Sequence, residues 1–154
     1  LNMSPELLQR LLLKYPMILN YNLHNHILPI TSYLATNLEF RDVEVIQILL
    51  KHPRFITHSL SKIKRRVAYL RFELGMDVSR TKRIIYQASR IMDVSNETLD
   101  SKVEYIRTTF QFTDEELRKV VSGMPTLLLC SLENNLSPKT EYLLRILGQK
   151  ELRE

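Results

Sequence analysis

Ile48-Leu49-Leu50-Lys51-His52-Pro53-Arg54-Phe55-Ile56, followed by Val67-Ala68-Tyr69-Leu70-Arg71-Phe72-Glu73-Leu74-Gly75, is the stretch that decides how this chain is read. Both halves recur. Tyr33, Tyr69, Tyr105 and Tyr142 stand at spacings of 36, 36 and 37 residues. Six residues before them lie Ile27, Ile63, Leu99 and Leu136; one after, Leu34, Leu70, Ile106 and Leu143; five after, Leu38, Leu74, Phe110 and Leu147. These offsets return to one side of an α-helix, so each unit holds an amphipathic helix, here the tyrosine helix. Gly75 and Gly148, six residues after their tyrosines, fit its C-terminal cap.

A second set of columns surrounds the proline. Pro16, Pro53 and Pro125 share one position, and Ser89 takes it in the third unit. Five and four residues earlier lie Leu11/Leu12, Ile48/Leu49, Ile84/Ile85 and Val120/Val121. Twelve residues earlier lie Ser4, Arg41, Asp77 and Thr113, of which all but Arg41 are good N-caps. Ser4-Pro5-Glu6 puts proline at the first helical position, and Thr113-Asp114-Glu115-Glu116 reads as a capping box. A proline helix therefore starts at each cap and stops before the proline, because the residue ahead of proline avoids helical geometry. The short apolar runs that follow, such as Phe55-Ile56 and Leu127-Leu128-Leu129, predict a 3₁₀ or short helical turn. In the third unit Ser89, together with Asp93 and Asn96 at otherwise apolar positions, predicts a looser turn.

The unit is thus long helix, short turn, long helix. Copies that cannot bury their apolar faces alone must stack, which predicts an all-α solenoid of about four repeats. It is read as one domain over residues 1–154, with repeat junctions near 40, 76, 112 and 148. The chain opens at Leu1, and Gln149-Lys150-Glu151-Leu152 reads as the start of a further proline helix. A fragment of a longer protein is expected, with uncapped ends that favour self-association.

Composition narrows the function classes. With 44% apolar and 25% charged residues the chain has the means to fold, and the single Cys130 excludes an internal disulfide framework or a cysteine zinc site. No apolar run reaches the length of a membrane span. The net charge of +5 is uneven: residues 1–50 carry −1, residues 51–90 carry +9 and residues 91–154 carry −3. A basic block that dense favours a polyanionic partner, since Lys and Arg displace condensed counterions from phosphate.

The columns show which cations align. Six residues before the proline position lie Arg10, Gln47, Arg83 and Lys119, on the side of the helix away from its apolar face. Arg83, Gln87 and Arg90 share a face by spacing. Three residues before each tyrosine lie Ile30, Arg66, Lys102 and Lys139, bordering the buried stripe. Around Arg66 stand Lys62, Lys64, Arg65 and Arg71, the densest cluster in the chain. The expected phosphate-binding set is therefore Lys62, Lys64, Arg65, Arg66, Arg71, Arg83, Arg90, Lys102 and Lys119. The tyrosines themselves are read as packing between repeats rather than as base-stacking groups.

Nothing points to catalysis or a metal. His24 and His26 lack a third ligand nearby in sequence, and no phosphate loop, nucleophile elbow or metalloprotease motif occurs. Neither a cofactor nor a metal is expected.

The combined pattern, Leu-Leu-(Leu/Ile)-x-x-Pro-x-(Leu/Ile) and then Tyr-Leu-x-x-x-Leu-Gly, resembles the mitochondrial transcription termination factor (mTERF) family. Ile48 to Ile56 and Val67 to Gly75 carry it, and it covers essentially the whole chain, with Ser89, Asp93 and Asn96 as departures. The resemblance implies a non-catalytic, organellar solenoid with a basic groove for double-stranded DNA or structured RNA. It implies a role in transcription termination or regulation, or in ribosomal RNA and ribosome assembly. A protein partner such as an RNA methyltransferase belongs to the same expectation, with the chain then serving as a scaffold. The address implied is mitochondrial, with the plastid as the alternative.

Overall fold

The structure, a computed structural model, describes residues 3–151, with side chains as far as residue 146. In chain order the helices are α1 (Pro5–Lys14), α2 (Leu28–Leu38), α3 (Asp42–Lys51), α4 (Leu60–Ala68), α5 (Val78–Gln87), α6 (Asn96–Phe110), α7 (Asp114–Gly123) and α8 (Ser137–Glu151). After α1, α3, α5 and α7 come 3₁₀ turns at Pro16–Asn20, Pro53–Thr57, Ser89–Asp93 and Pro125–Leu129. The tyrosine helices also contain π turns: Leu23–Ile27 leads into α2, Tyr69–Glu73 follows α4, and Leu132–Leu136 leads into α8. There is no strand among the described residues. The chain divides into two compact units, Leu1–Asp93 and Val94–Glu154.

Local chemistry explains where each proline helix begins. Ser4, Asp77 and Thr113 accept from the backbone N–H groups of Leu7, Arg80 and Glu116. Arg41 makes no such cap; instead its own N–H donates to Glu44 Oε2 at 2.8 Å, which supplies the other half of a capping box. The tyrosine helices use a cap column that the proline and tyrosine patterns did not expose. Asn22, Ser59, Ser95 and Ser131, each six residues after the proline position, accept from Asn25, Lys62, Thr98 and Asn134.

The third turn is not looser than the others. Ala88 N–H donates to Ile84 O at 2.8 Å and Ile91 N–H to Ala88 O at 2.8 Å, matching His52 to Ile48 and Phe55 to His52 in the repeat before it. Ile91 and Met92 are fully buried. Apolar burial and backbone hydrogen bonds hold this turn without the proline; Asp93 and Asn96 remain exposed, where polarity costs nothing.

The C-terminal cap of the tyrosine helix also differs from expectation. Six residues after the tyrosine the backbone turns left-handed in three repeats, but only Gly75 of those residues is a glycine; Glu39 (φ 55°) and Gln111 (φ 52°) take the same conformation. Gly148 lies inside α8, which continues to Glu151, so it caps nothing. Leu152 lies outside the described residues.

In the first unit, like elements stack on like. α1 packs on α3, and the turn Pro16–Asn20 packs on Pro53–Thr57, which packs in turn on Ser89–Asp93. The core is aliphatic, with Leu11, Leu34, Leu38, Ile48, Ile56, Ile63, Leu70, Ile84 and Ile85 sealed from solvent. Each such side chain contributes about 1.5–3 kcal/mol of transfer free energy. In the second unit α6 packs on α7 and on the turn Pro125–Leu129 around Leu99, Ile106, Leu117, Val121 and Leu128.

Polar ties cross between repeats inside each unit. His26 Nε2–H donates to Ile56 O in the following turn. Lys102 Nζ donates to Leu128 O at 2.8 Å, three residues after its proline as Ile56 is after Pro53. In both places a buried turn carbonyl is satisfied by the preceding tyrosine helix.

Candidate nucleic-acid interface

The column six residues before the proline position is a surface row in every repeat. Arg10, Gln47, Arg83 and Lys119 are all exposed, on α1, α3, α5 and α7. Its helical phase puts it opposite the buried pairs Ile48/Leu49 and Ile84/Ile85. In the first unit the row is backed by neighbours. Tyr86 O–H donates to Gln47 Oε1, and Lys51 Nζ lies 4.8 Å from the Tyr86 ring centre. Arg10, Lys14, Gln47 and Lys51 line one groove between α1 and α3, with Leu7, Val43, Ile46 and Leu50 as its apolar walls. Lys14 also reaches across to Leu50 O at 2.9 Å, which fixes its stem between the two helices.

The column three residues before the tyrosine behaves differently. Ile30, Arg66 and Lys102 are buried, the two cations to 7% exposure each, and only Lys139 is at the surface. Arg66 lies against the Tyr69 ring at 5.4 Å, and Lys102 is spent on Leu128 O. Burial pushes the Lys102 ammonium below the ordinary lysine value, with Cys130 acting in the opposite sense. Arg66 and Lys102 are therefore corrections to the expected set: both are buried, Arg66 beside the Tyr69 ring and Lys102 on the Leu128 carbonyl, where a backbone phosphate has no access.

The rest of the expected set is at or near the surface. Lys64, Arg65 and Arg71 are exposed and Lys62 is half-buried, all on or just after α4; Lys64 sits 5.5 Å from the Tyr33 ring centre. Arg83 and Arg90 are exposed in the first unit and Lys119 in the second. Other cations are paired to carboxylates: Lys82 to Glu44 at 2.9 Å, Arg107 to Asp114 at 3.2 Å and Arg118 to Glu115 at 3.0 Å. Among the described residues, Arg10, Arg65, Arg83, Arg90 and Lys119 have no carboxylate within ion-pair distance, so their charge is available to a ligand.

Sequence columns missed Lys14, Lys51 and Arg54. The signal was present, since Lys14 and Lys51 lie four residues after Arg10 and Gln47, the spacing that returns to the same helix face. The tyrosines divide: Tyr69 is buried and Tyr33 and Tyr105 half-buried between repeats, whereas Tyr142 is 61% exposed. Among the described residues no group of three or more His, Cys, Asp or Glu side chains is placed to hold a metal.

These features define an all-α repeat protein whose proline helices expose the same column of long polar and cationic side chains in each repeat. The sequence profile described as mTERF matches residues 1–151, and the chain belongs to the mTERF family. Over 99 residues it is 27% identical to the chloroplastic transcription termination factor MTERF8 of Arabidopsis thaliana, covering 64% of this chain and 20% of that protein. Over 84 residues it is 29% identical to the mitochondrial transcription termination factor 4 of Mus musculus, covering 54% of this chain and 24% of that protein. The matched segments span only a fifth to a quarter of these relatives.

Proposed function

We propose that this chain is a non-catalytic nucleic-acid-binding module that regulates gene expression in an organelle. The observation that carries the reading is the row Arg10, Gln47, Arg83 and Lys119, exposed in every repeat and extended in the first unit by Lys14, Lys51 and Arg90. Long cationic and amide side chains at helix spacing suit the phosphates of double-stranded DNA or structured RNA, and position the protein without reading bases. Lys62, Lys64, Arg65 and Arg71 add a second basic surface on the tyrosine-helix layer. Membership of the mTERF family and the names of both relatives support a role in transcription termination or regulation, in a mitochondrion or plastid.

The test is fluorescence anisotropy with duplex DNA, duplex RNA and structured RNA at several salt concentrations. Four or five neutralised phosphates give a log–log salt slope of about −3 to −5. Failure of all three ligands to bind at low salt would sink the reading.

A second reading has its own observation. In the second unit an apolar cleft of about 370 Å³ is lined by Tyr105, Phe110, Phe112, Met124, Leu127 and Leu143, among others. Such a surface suits a scaffold that positions a partner enzyme, of which an RNA methyltransferase is one, and its binding would be only weakly sensitive to salt.

A further inference from the structure

Where the third repeat departs from the pattern, the first unit contains a small cationic cavity. It measures about 280 Å³ and lies between two stacked 3₁₀ turns. Lys51, His52, Arg54 and His58 line it from the second repeat, and Ser89, Arg90 and Asp93 line it from the third. Its one carboxylate, Asp93, is already engaged by His58 Nε2 at 3.2 Å. Lys51, Arg54 and Arg90 are all exposed residues, and together they exceed that charge.

Ser89 is the unusual member. In the other repeats this position is a proline, which carries no donor. Here a hydroxyl takes its place; the residue is 2% exposed, and Ser89 Oγ is buried with no hydrogen-bond partner among the described residues. A buried hydroxyl left unpaired costs about 1–3 kcal/mol, a cost that proline at this site avoids. The turn itself does not need the serine, because its backbone bonds and its buried Ile91 and Met92 match those of the proline-headed turns. Ser89 lines the cavity beside this excess of positive charge, although its hydroxyl is turned away from solvent.

We propose that this cavity is an oxyanion site for a phosphate group. The guanidinium groups of Arg54 and Arg90 and the Lys51 ammonium supply the charge, and Ser89 Oγ–H, turned toward the cavity by rotation about χ1, donates a hydrogen bond to a phosphate oxygen. Inorganic phosphate and a nucleic-acid backbone phosphate offer the same chemistry here; the site shares Lys51 and Arg90 with the interface proposed above, and inorganic phosphate tests it separately.

The histidines report occupancy. Burial, then Arg90 and Lys51, hold His52 below its ordinary pKa against the opposing pull of Asp93. Burial, then Lys62, hold His58 low, with Asp93 opposing and Arg54 adding to the effect. A bound phosphate places negative charge beside both rings and raises both values.

Histidine ring resonances of the whole 154-residue chain are followed by NMR while sodium phosphate replaces sodium chloride at constant ionic strength. Saturable shifts and a rise in titration midpoint are expected at His52 and His58, with His24 and His26 as internal controls outside the cavity. Arg90→Gln, at an exposed position, weakens phosphate about tenfold, in keeping with the strength of charge-assisted hydrogen bonds. Ser89→Pro, which installs the residue heading the other turns, weakens it about fivefold through loss of one hydrogen bond. Equal shifts at all four histidines, or both variants titrating like the parent, overturn the proposal.

A second arm adds a duplex oligonucleotide. If it moves the same two resonances and phosphate competes with it, the site holds a backbone phosphate; if phosphate alone moves them, the source is free phosphate. A chain that binds the oligonucleotide but fails the phosphate arm loses this site and keeps its interface. One that takes phosphate but no oligonucleotide does the reverse.

Discussion

Two rows of cations repeat along this chain at nearly the same interval and meet opposite fates. The row six residues before the proline position carries Arg10, Arg83 and Lys119 into solvent. The row three residues before the tyrosine carries Arg66 and Lys102 into the interior. Residue type does not separate them, since both rows mix Lys and Arg. Helical phase does. The first row is centred opposite its apolar pairs, whereas the second borders a buried apolar stripe. In a stacked array a helix has two buried flanks, and a column at the margin of one stripe becomes interior once a neighbour arrives. Alignment of charge is thus a necessary sign of a binding row and not a sufficient one.

Substitutions at Lys102 should break this contrast most sharply. Lys102→Glu puts a carboxylate against the Leu128 carbonyl and costs about 3–5 kcal/mol, read as a large fall in urea midpoint. Lys102→Met keeps the apolar stem but orphans that carbonyl, at a cost of about 1–2 kcal/mol. If Lys102→Glu folds normally and lowers nucleic-acid affinity instead, the burial argument fails. Next in size are reversals in the exposed row. Arg10→Glu or Arg83→Glu each weakens duplex binding about tenfold at low salt, independent of sequence, and leaves the melting temperature unchanged.

The repeat period, the proline-helix caps and the aliphatic core were legible because each depends on a residue type at a fixed offset. Ser4, Asp77 and Thr113 cap where their side chains allow, and Ile63, Leu70, Leu99 and Ile106 are buried where the tyrosine columns place them. The left-handed cap was only half legible. Glu39 and Gln111 adopt a conformation that glycine advertises, because hydrogen bonds from Phe40 N–H to Leu34 O and from Phe112 N–H to Arg107 O impose it from outside. The same reasoning at Gly148 failed, since α8 continues through it. Of the candidate site, the outward row was readable from helical phase. The inward turn of Arg66 and Lys102 was not, because spacing puts a column at the margin of a stripe without saying whether tertiary packing closes over it.

That half-legible cap supplies a smaller test. Glu39→Gly and Gln111→Gly relieve a left-handed strain at exposed positions, and each should stabilise by about 0.5–1 kcal/mol after the extra unfolded-chain entropy of glycine. A loss of stability on either change would mean that the side chain contributes more than its backbone conformation costs.

The smallest expected effect is that of pH. His52 and His58 both have folded pKa values below the ordinary 6.5, so the unfolded chain binds more protons as the pH falls. Stability is therefore level above about pH 6.5 and declines below it, as the pH drops toward the folded values. Urea midpoints at pH 7 and pH 5 measure the decline, and His52→Gln should flatten it. A midpoint that rises on acidification would reverse the sign and refute the burial of these rings.

The carbonyls of Ile56 and Leu128 have a consequence for how such arrays can be cut and joined. Each is completed by a donor from the repeat before it, His26 in one case and Lys102 in the other. The dependence therefore has a direction. Cutting away an upstream repeat strands an acceptor in the turn that remains, whereas cutting away a downstream one merely frees a donor that water can serve. Shortening from the amino end should be the costlier edit, and a transplanted repeat should tolerate a foreign successor better than a foreign predecessor.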